Sequence, residues 1–273
     1  MAPLRRYRHP IRLAASLREL VGARAIVRRL AARELRVRYR RAFLGFGWAV
    51  VTPVALLLAF SLVLTRAAKI STQGAPYPLF AYLGLLPWSF FSSSVAQGSA
   101  SLLNNMTLLK RTYLPREVFP ISSLLVGLVD LLVASVVLML LFPIHHFVPH
   151  ATAYWIPLYF LIQLAFTAGV VLFLAAATVY VRDLRHVMSL ALQVGLFATP
   201  VAYGLTAIPA QYRALYVGLN PLATVIDGYR RAVLFGQGPN WQYVLISGTT
   251  ALAVLVAGYL SFKKMEAGVA DIS

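Results

Sequence analysis

The sequence predicts an all-α integral membrane protein with six transmembrane helices, and three observations carry that expectation. Of its 273 residues 60% are hydrophobic and only 12% charged, whereas a soluble domain carries about 25% charged and about 45–50% apolar residues. Six segments each supply roughly 20 mostly apolar residues, the length that crosses about 30 Å of hydrocarbon. The basic residues are spread unevenly between the connections, as the positive-inside rule requires. Lys plus Arg number 25 against 8 Asp plus Glu, a formal charge of +17, so part of the chain faces an anionic surface such as lipid headgroups or lipid phosphates. No nucleic-acid partner is expected, because the apolar runs are too long for a DNA- or RNA-binding module and no recognition motif accompanies the charge. The absence of Cys excludes disulfides, thiolate chemistry and Cys-based metal sites. The Arg-rich N-terminus lacks an apolar run before a cleavage site, so no removable signal peptide is expected.

Residues 1–45 read as a basic cytoplasmic segment containing an amphipathic helix. From Ile26 to Val37, at 100° per residue, Ile26, Val27, Leu30, Ala31, Leu35 and Val37 fall on one half of the wheel and Arg28, Arg29, Arg33 and Arg36 on the other. Glu34 intrudes on the apolar half. A helix of this kind lies in the membrane surface.

The expected spans are Phe46 to Leu64, Pro78 to Val95, Val118 to Phe142, Tyr154 to Val181, Val187 to Leu205 and Tyr243 to Phe262. They make residues 46–273 one transmembrane domain. The second span is the weakest, since Ser92, Ser93, Ser94 and Gln97 make its far end polar. With both termini in the cytoplasm, 13 Lys and Arg precede Phe46, and Lys110, Arg111, Arg116, Arg182, Arg185, Lys263 and Lys264 bring the inner total to 20. The outer side keeps five: Arg66, Lys69, Arg213, Arg230 and Arg231. An odd number of spans loses this asymmetry. Residues 206–242 combine Pro209, Pro221 and Pro239 with apolar stretches, which predicts short re-entrant or surface-lying helices between spans five and six; a plain external loop is the alternative.

The sequence contains no phosphate-binding loop, no His-Glu-x-x-His and no Gly-x-Ser-x-Gly, so neither ATP hydrolysis nor hydrolase chemistry is expected on this chain. His145, His146 and His150 cluster without an acid to complete a metal site. Asp130, midway along the third span, is the one acid well inside a predicted span. An intramembrane acid is a functional hypothesis by default; the alternative is an Asp bonded to a hydroxyl or amide of a neighbouring helix. Tyr82, Trp88, Phe90 and Phe91 crowd the second span. Such rings can line a passage and stack on sugar, or simply form an interfacial belt. Pro53, Pro87 and Pro200 fall within predicted spans and favour kinks.

Three stretches resemble the transmembrane subunits of type-2 ABC exporters of lipid-linked polysaccharide. They are Arg33-Glu-Leu-Arg-Val-Arg-Tyr-Arg-Arg-Ala-Phe-Leu-Gly-Phe-Gly-Trp48 running into Pro53; Gly84-Leu-Leu-Pro-Trp-Ser-Phe-Phe91 followed by Asn104-Asn and by Leu109 to Pro120; and Thr199-Pro-Val201 followed by Asn220-Pro-Leu222 and Tyr229-Arg230. Their order and spacing cover nearly the whole chain. The resemblance implies a homodimer paired with two copies of a separate nucleotide-binding ATPase, which carries the ATP and Mg. It implies that the region 104–120 includes a coupling helix docking on that ATPase, with Lys110, Arg111, Tyr113, Pro115, Arg116 and Glu117 as its contact residues. It places Arg36, Arg38, Tyr39, Arg40 and Arg41 at the cytoplasmic entrance for a lipid pyrophosphate. No cofactor or metal is expected on this chain itself.

The expected function is export of a polyprenyl-pyrophosphate-linked polysaccharide across the bacterial inner membrane. Export of a drug or small lipid is the nearest alternative. A membrane-embedded glycosyl- or acyltransferase needs an acid or His cluster at one membrane face, and a proton-coupled carrier needs more intramembrane acids than Asp130 and usually an inverted repeat. The charge asymmetry generates a direct test in this Cys-free chain. A cysteine at Ser273 should react with a membrane-impermeant thiol reagent only from the cytoplasmic side; labelling from outside overturns the topology.

Overall fold

A computed structural model of the protein describes residues 13–40, 45–67, 72–111 and 114–272. The described residues form helices and no strand: α1 (Leu13–Gly22), α2 (Arg24–Tyr39), α3 (Trp48–Ala67), α4 (Tyr77–Asn104), α5 (Met106–Arg111), α6 (Val118–Ile144), α7 (Ile156–Tyr180), α8 (Leu184–Ala198), α9 (Ala210–Leu219), α10 (Pro221–Val233) and α11 (Trp241–Ile272). Four of them, α4, α6, α7 with the turn before it, and α11, are long and apolar enough to cross a membrane. The apolar stretches of α3 and α8, Trp48–Leu62 and Leu184–Ala198, are shorter.

Six helices, α3, α4, α6, α7, α8 and α11, alternate in direction between two ends of the bundle, and polar contacts identify those ends. At one end the Glu117 carboxylate pairs with Lys263, Arg116 donates to the Glu266 carbonyl, the Tyr180 hydroxyl donates to the Met265 carbonyl at 2.6 Å, and Ser122 donates to Glu34 at 3.1 Å. At the other, Thr152 donates to the Ala232 carbonyl at 2.6 Å and Tyr77 to that of Ala202 at 3.3 Å. The turns at 114–117 and 181–183, the first part of α2 and the last part of α11 therefore share one end.

In the middle, α7 packs between α4 and α11, and α4 between α6 and α7. Two glycines set the closest crossing. A Cβ on Gly258 of α11 would lie 2.1 Å from the Gly169 carbonyl oxygen of α7, and a Cβ on Gly169 would lie 2.5 Å from that of Val254. Backbones approach this closely only where side chains are absent, the usual device for packing helices in lipid. On the α4 side, fully buried Gln163 donates to the Pro87 carbonyl at 2.8 Å, joining α7 to α4 at the proline of α4.

The helix α10 is buried along most of its length and rests on α7, where a Cβ on Gly228 would strike the Tyr159 ring. Its Arg230 is 2% exposed. The guanidinium donates to the carbonyls of Phe80 at 2.9 Å, Pro200 at 2.8 Å, Tyr203 at 2.8 Å and Val201, and it lies 3.7 Å from the Phe80 ring centroid. Gly84 admits this arrangement, since a Cβ there would meet the Val201 carbonyl oxygen at 2.5 Å.

Several expectations need correction. The fifth apolar segment does not continue to Leu205: α8 ends at Ala198, and Pro200 lies in the turn that Arg230 clasps. The helix of 15 residues is about 22 Å long, short of the hydrocarbon thickness. The second segment runs on past Val95 to Asn104, because α4 sits among other helices, with Ser94, Ser99 and Ser101 buried there. The amphipathic helix does not simply lie on a surface. Its Val27, Leu30 and Ala31 are buried, and it packs along α6; Val37, assigned to the apolar half, is 71% exposed. The misfit Glu34 accepts hydrogen bonds from Ser122 at 3.1 Å and Ser123 at 3.5 Å. The preceding helix α1 was not anticipated.

The glycine crossing generates a test with an internal control. Gly258→Ala should destabilise the purified protein by about 1–3 kcal/mol, the usual cost of overpacking. Gly248→Ala on the same helix meets nothing within 4 Å and should leave thermal unfolding in detergent unchanged. Equal effects from both would show that the close crossing is not the cause.

Candidate functional site

Two cavities differ in chemistry. One, of about 530 Å³, lies between α1, α2 and α6 and is lined mostly by apolar side chains such as Leu20, Val27 and Leu125. The other, of about 710 Å³, is enclosed by α3, α4, α6 and α8 with the C-terminal end of α2, and it gathers polar, aromatic and charged groups. It is the candidate site.

Helical spacing explains what the walls present. On α4, Ser89, Ser92, Ser93 and Ala96 face the cavity, with Trp88, Phe90 and Ser99 largely buried behind them, so two of the serines that weaken α4 as a lipid-facing span, Ser92 and Ser93, join Ser89 in a row of hydroxyls. Ser92 and Ser93 donate only long bonds, 3.3 and 3.4 Å, to carbonyls of their own helix, a common habit of helical Ser. On α8, Arg185, Met188, Ser189, Leu192, Gln193 and Leu196 line the opposite wall; at 100° per residue they form one stripe. The large side chains Val187, Leu190, Val194 and Phe197 point the other way and are exposed. Trp88 closes the space between α4 and α8, where Gly195 comes so near that a Cβ would lie 2.9 Å from the indole.

The charged corner is built by α2 and α6. Arg38 forms an ion pair with Asp130, and the Tyr39 hydroxyl donates to the other carboxylate oxygen at 2.6 Å. The Arg38 side chain is 34% exposed and that of Asp130 15%. Burial, and then the adjoining Asp130 carboxylate, push the Tyr39 hydroxyl up to about 12, so it remains a donor at any physiological pH. One turn back on α2, burial raises the Glu34 carboxyl, opposed by the hydroxyls of Ser122 and Ser123 and the charges of Arg33 and Arg38. Asp130 is thus held by the hydroxyl of a neighbouring helix, one of the two expectations for it, and by an arginine as well.

The residues singled out in the sequence fall into three places. Arg38, Tyr39 and Trp88 meet in the cavity wall, whereas Phe90, expected to line the passage, is 1% exposed with its ring packed against Phe160 behind the wall. Arg36 donates to the Ala32 carbonyl of its own helix at 3.3 Å, Arg40 is exposed outside the lining, and Arg41 lies outside the described residues. Tyr82 is fully buried with its hydroxyl on the Ala134 carbonyl at 2.9 Å, and Phe91 stacks on Phe166 at 5.6 Å; neither lines the cavity. In the 104–120 region, Lys110 and Arg111 belong to α5, Tyr113 lies outside the described residues, and the turn at Pro115 leads to Arg116 and Glu117, both joined to the end of α11. Sequence reasoning passed over Arg185, Gln193 and the serine row as site residues, although Ser89, Ser92, Ser93 and Ser99 already stand at helical spacing. Among the described residues no group of three or more His, Cys, Asp or Glu could hold a metal ion.

The family described as ABC-2 type transporter matches residues 26–234 of this chain. The O-antigen export system permease protein RfbA of Myxococcus xanthus is 31% identical over 249 residues, 90% of this chain and 95% of the relative. The protein of the same name from Klebsiella pneumoniae is 30% identical over 243 residues, covering 88% and 92%. The polysialic acid transport protein KpsM of Escherichia coli is 24% identical over 231 residues, covering 83% and 89%.

The Asp130 corner generates a test by double-mutant cycle. Asp130→Ala and Arg38→Ala should each lower stability in detergent, by about 1–2 kcal/mol, a charged hydrogen bond reduced for partial exposure. The double substitution should cost less than their sum. Strict additivity in thermal unfolding would show that the pair contributes nothing.

Proposed function

The chain belongs to the ABC-2 type transporter family, and on that premise we propose that it is the membrane-spanning subunit of an ATP-driven exporter moving a polyprenyl-pyrophosphate-linked polysaccharide from the cytoplasm across the bacterial inner membrane. The observation that carries this reading is the cavity, whose wall suits two parts of such a substrate, the glycan and its phosphate groups. Ser89, Ser92, Ser93 and Gln193 offer hydrogen bonds to sugar hydroxyls beside the largely buried Trp88, and Arg185 offers a guanidinium fork to phosphate. The relatives, named for O-antigen export and polysialic acid transport, support a glycan over a small drug.

In this reading the chain works as a homodimer with two copies of an ATPase subunit, which supplies ATP and Mg. Arg36 to Arg41 with Tyr39 lie at the cytoplasmic entrance, and the ATPase docks on the 104–120 region. Arg116 and Glu117 then have a defined task. Through the Glu266 carbonyl and Lys263 they tie the start of α6 to the end of α11, so force applied at the turn reaches two helices together.

Purified alone, the chain should show no ATP hydrolysis; co-expression with its ATPase should restore it. In the assembled complex, Arg116→Glu or Lys263→Glu should preserve hydrolysis while lowering glycan exported per ATP by roughly tenfold, within the usual range of coupling energies. Export measured at the cell surface against hydrolysis in the same membranes decides it. Unchanged export in both variants would remove the coupling role from this turn, and wild-type surface glycan in a strain lacking the chain would overturn the exporter reading.

A further inference from the structure

The cavity wall contains three charged side chains, Arg38, Asp130 and Arg185. Arg38 is ion-paired with Asp130, which also accepts from Tyr39, so that corner is electrically neutral. Arg185 differs. It sits in the first turn of α8, exposed, and among the described residues its side chain makes no ion pair or hydrogen bond. Its place on the cavity side is fixed by the helix, because the stripe from Arg185 through Ser189 and Gln193 faces inward while the apolar stripe from Val187 to Phe197 faces outward. Across the space α4 presents Ser89, Ser92 and Ser93, whose protons are committed only to long bonds within their own helix or to none. An uncompensated guanidinium facing hydroxyl donors, in a cavity whose one acid among the described residues is already paired, makes an anion site.

We propose that Arg185 binds the phosphate groups of a lipid diphosphate inside this cavity, with hydroxyls of α4 as further donors. The proposal rests on the exporter reading and sharpens it: the recognising guanidinium comes from α8, not from the arginines of α2 alone. Its position suits the task, because the turn between α7 and α8 shares the end of the bundle with the 114–117 turn and the end of α11, joined through Tyr180 and Met265. A diphosphate held there leaves the glycan beside Trp88 and the serines of α4.

The test is equilibrium binding of radiolabelled undecaprenyl diphosphate to the complex of this chain with its ATPase in phosphatidylcholine nanodiscs. Unlabelled diphosphate, undecaprenyl monophosphate and phosphatidylglycerol serve as competitors. Wild type should bind the diphosphate, release it weakly to the monophosphate and not to phosphatidylglycerol. Arg185→Gln should weaken binding by about tenfold, the loss expected for charged hydrogen bonds. Arg185→Lys, which keeps charge and loses the fork, should be intermediate. Arg182→Gln, one turn earlier and outside the cavity lining, should bind as wild type. If Arg185→Gln fails to assemble with the ATPase, Arg185→Lys carries the comparison. Wild-type binding in the Arg185 variants, or equal weakening in Arg182→Gln, overturns the proposal while leaving the exporter reading intact. Equal displacement by phosphatidylglycerol shows a general site for anionic lipid and overturns it too. Failure of the wild-type complex to bind the diphosphate overturns the substrate reading itself, and the proposal with it.

Discussion

Charge inside an apolar bundle has to be matched group by group, and that constraint places more of this molecule than apolar packing does. Moving an unpaired ion out of water costs several kcal/mol even after relaxation, so each buried charge demands particular partners. Arg230 shows the extreme. Its guanidinium takes four carbonyls from the first turn of α4 and from the turn after α8. Three of them, those of Pro200, Val201 and Tyr203, belong to the turn that begins once α8 has stopped at Ala198, and Arg230 satisfies them. The same rule joins Lys263 to Glu117, Arg38 and Tyr39 to Asp130, and the two serines of α6 to Glu34. Each contact bridges elements far apart in sequence, and together they hold α2, α10 and the end of α11 against the central helices.

Apolar packing alone would not select this arrangement, since lipid chains are as apolar as leucine and offer no hydrophobic drive for one helix to prefer another. Selection comes from small residues and from polar matches. Gly169 and Gly258 let α7 and α11 touch backbone to backbone, and Gly84 lets the turn at Val201 settle on α4. The cavity is the complement of this packing. Where α8 leans away from the bundle without a single buried residue, the faces of α3, α4 and α6 that other helices would cover stay open.

Features governed by local periodicity were legible in the sequence. The wheel over Ile26 to Val37 gave a helix, found at Arg24–Tyr39, and the apolar runs gave the long helices within a few residues at most ends. Even the flaw in the wheel was informative: Glu34 sits among apolar residues because Ser122 and Ser123 meet it there. What failed was anything set by a distant partner. Pro200 read as a kink inside a span, because nothing nearby in sequence announces that Arg230, thirty residues on, will gather the carbonyls of a turn there. Arg230 itself read as an outer-side charge. The serines of α4 counted against a span, when their spacing marked a face turned toward a cavity. Arg185 counted only toward topology, since its importance depends on Asp130 being occupied by Arg38, a pairing across 92 residues.

One helix connects the two charged contacts that matter most for a moving transporter. Glu117 immediately precedes α6 and is bound to Lys263; Asp130 lies on the same helix and is bound to Arg38 and Tyr39. Thirteen residues separate the two acids, about 20 Å along an α-helix; the one proline between them, Pro120, stands in the first turn of α6, where it removes no helix hydrogen bond, and Pro143 lies near the far end. A helix without a break moves as a rod. Displacement of the 114–117 turn along the axis of α6 is therefore displacement of Asp130 relative to α2, whose hold on the rest of the bundle runs mainly through α6. A bond as short-ranged as an ion pair responds to shifts of an ångström or two, so the contact that compensates the charge of Arg38 is mechanically downstream of the turn. The cavity's ion pair and the 114–117 turn lie at two ends of a single unbroken helical segment.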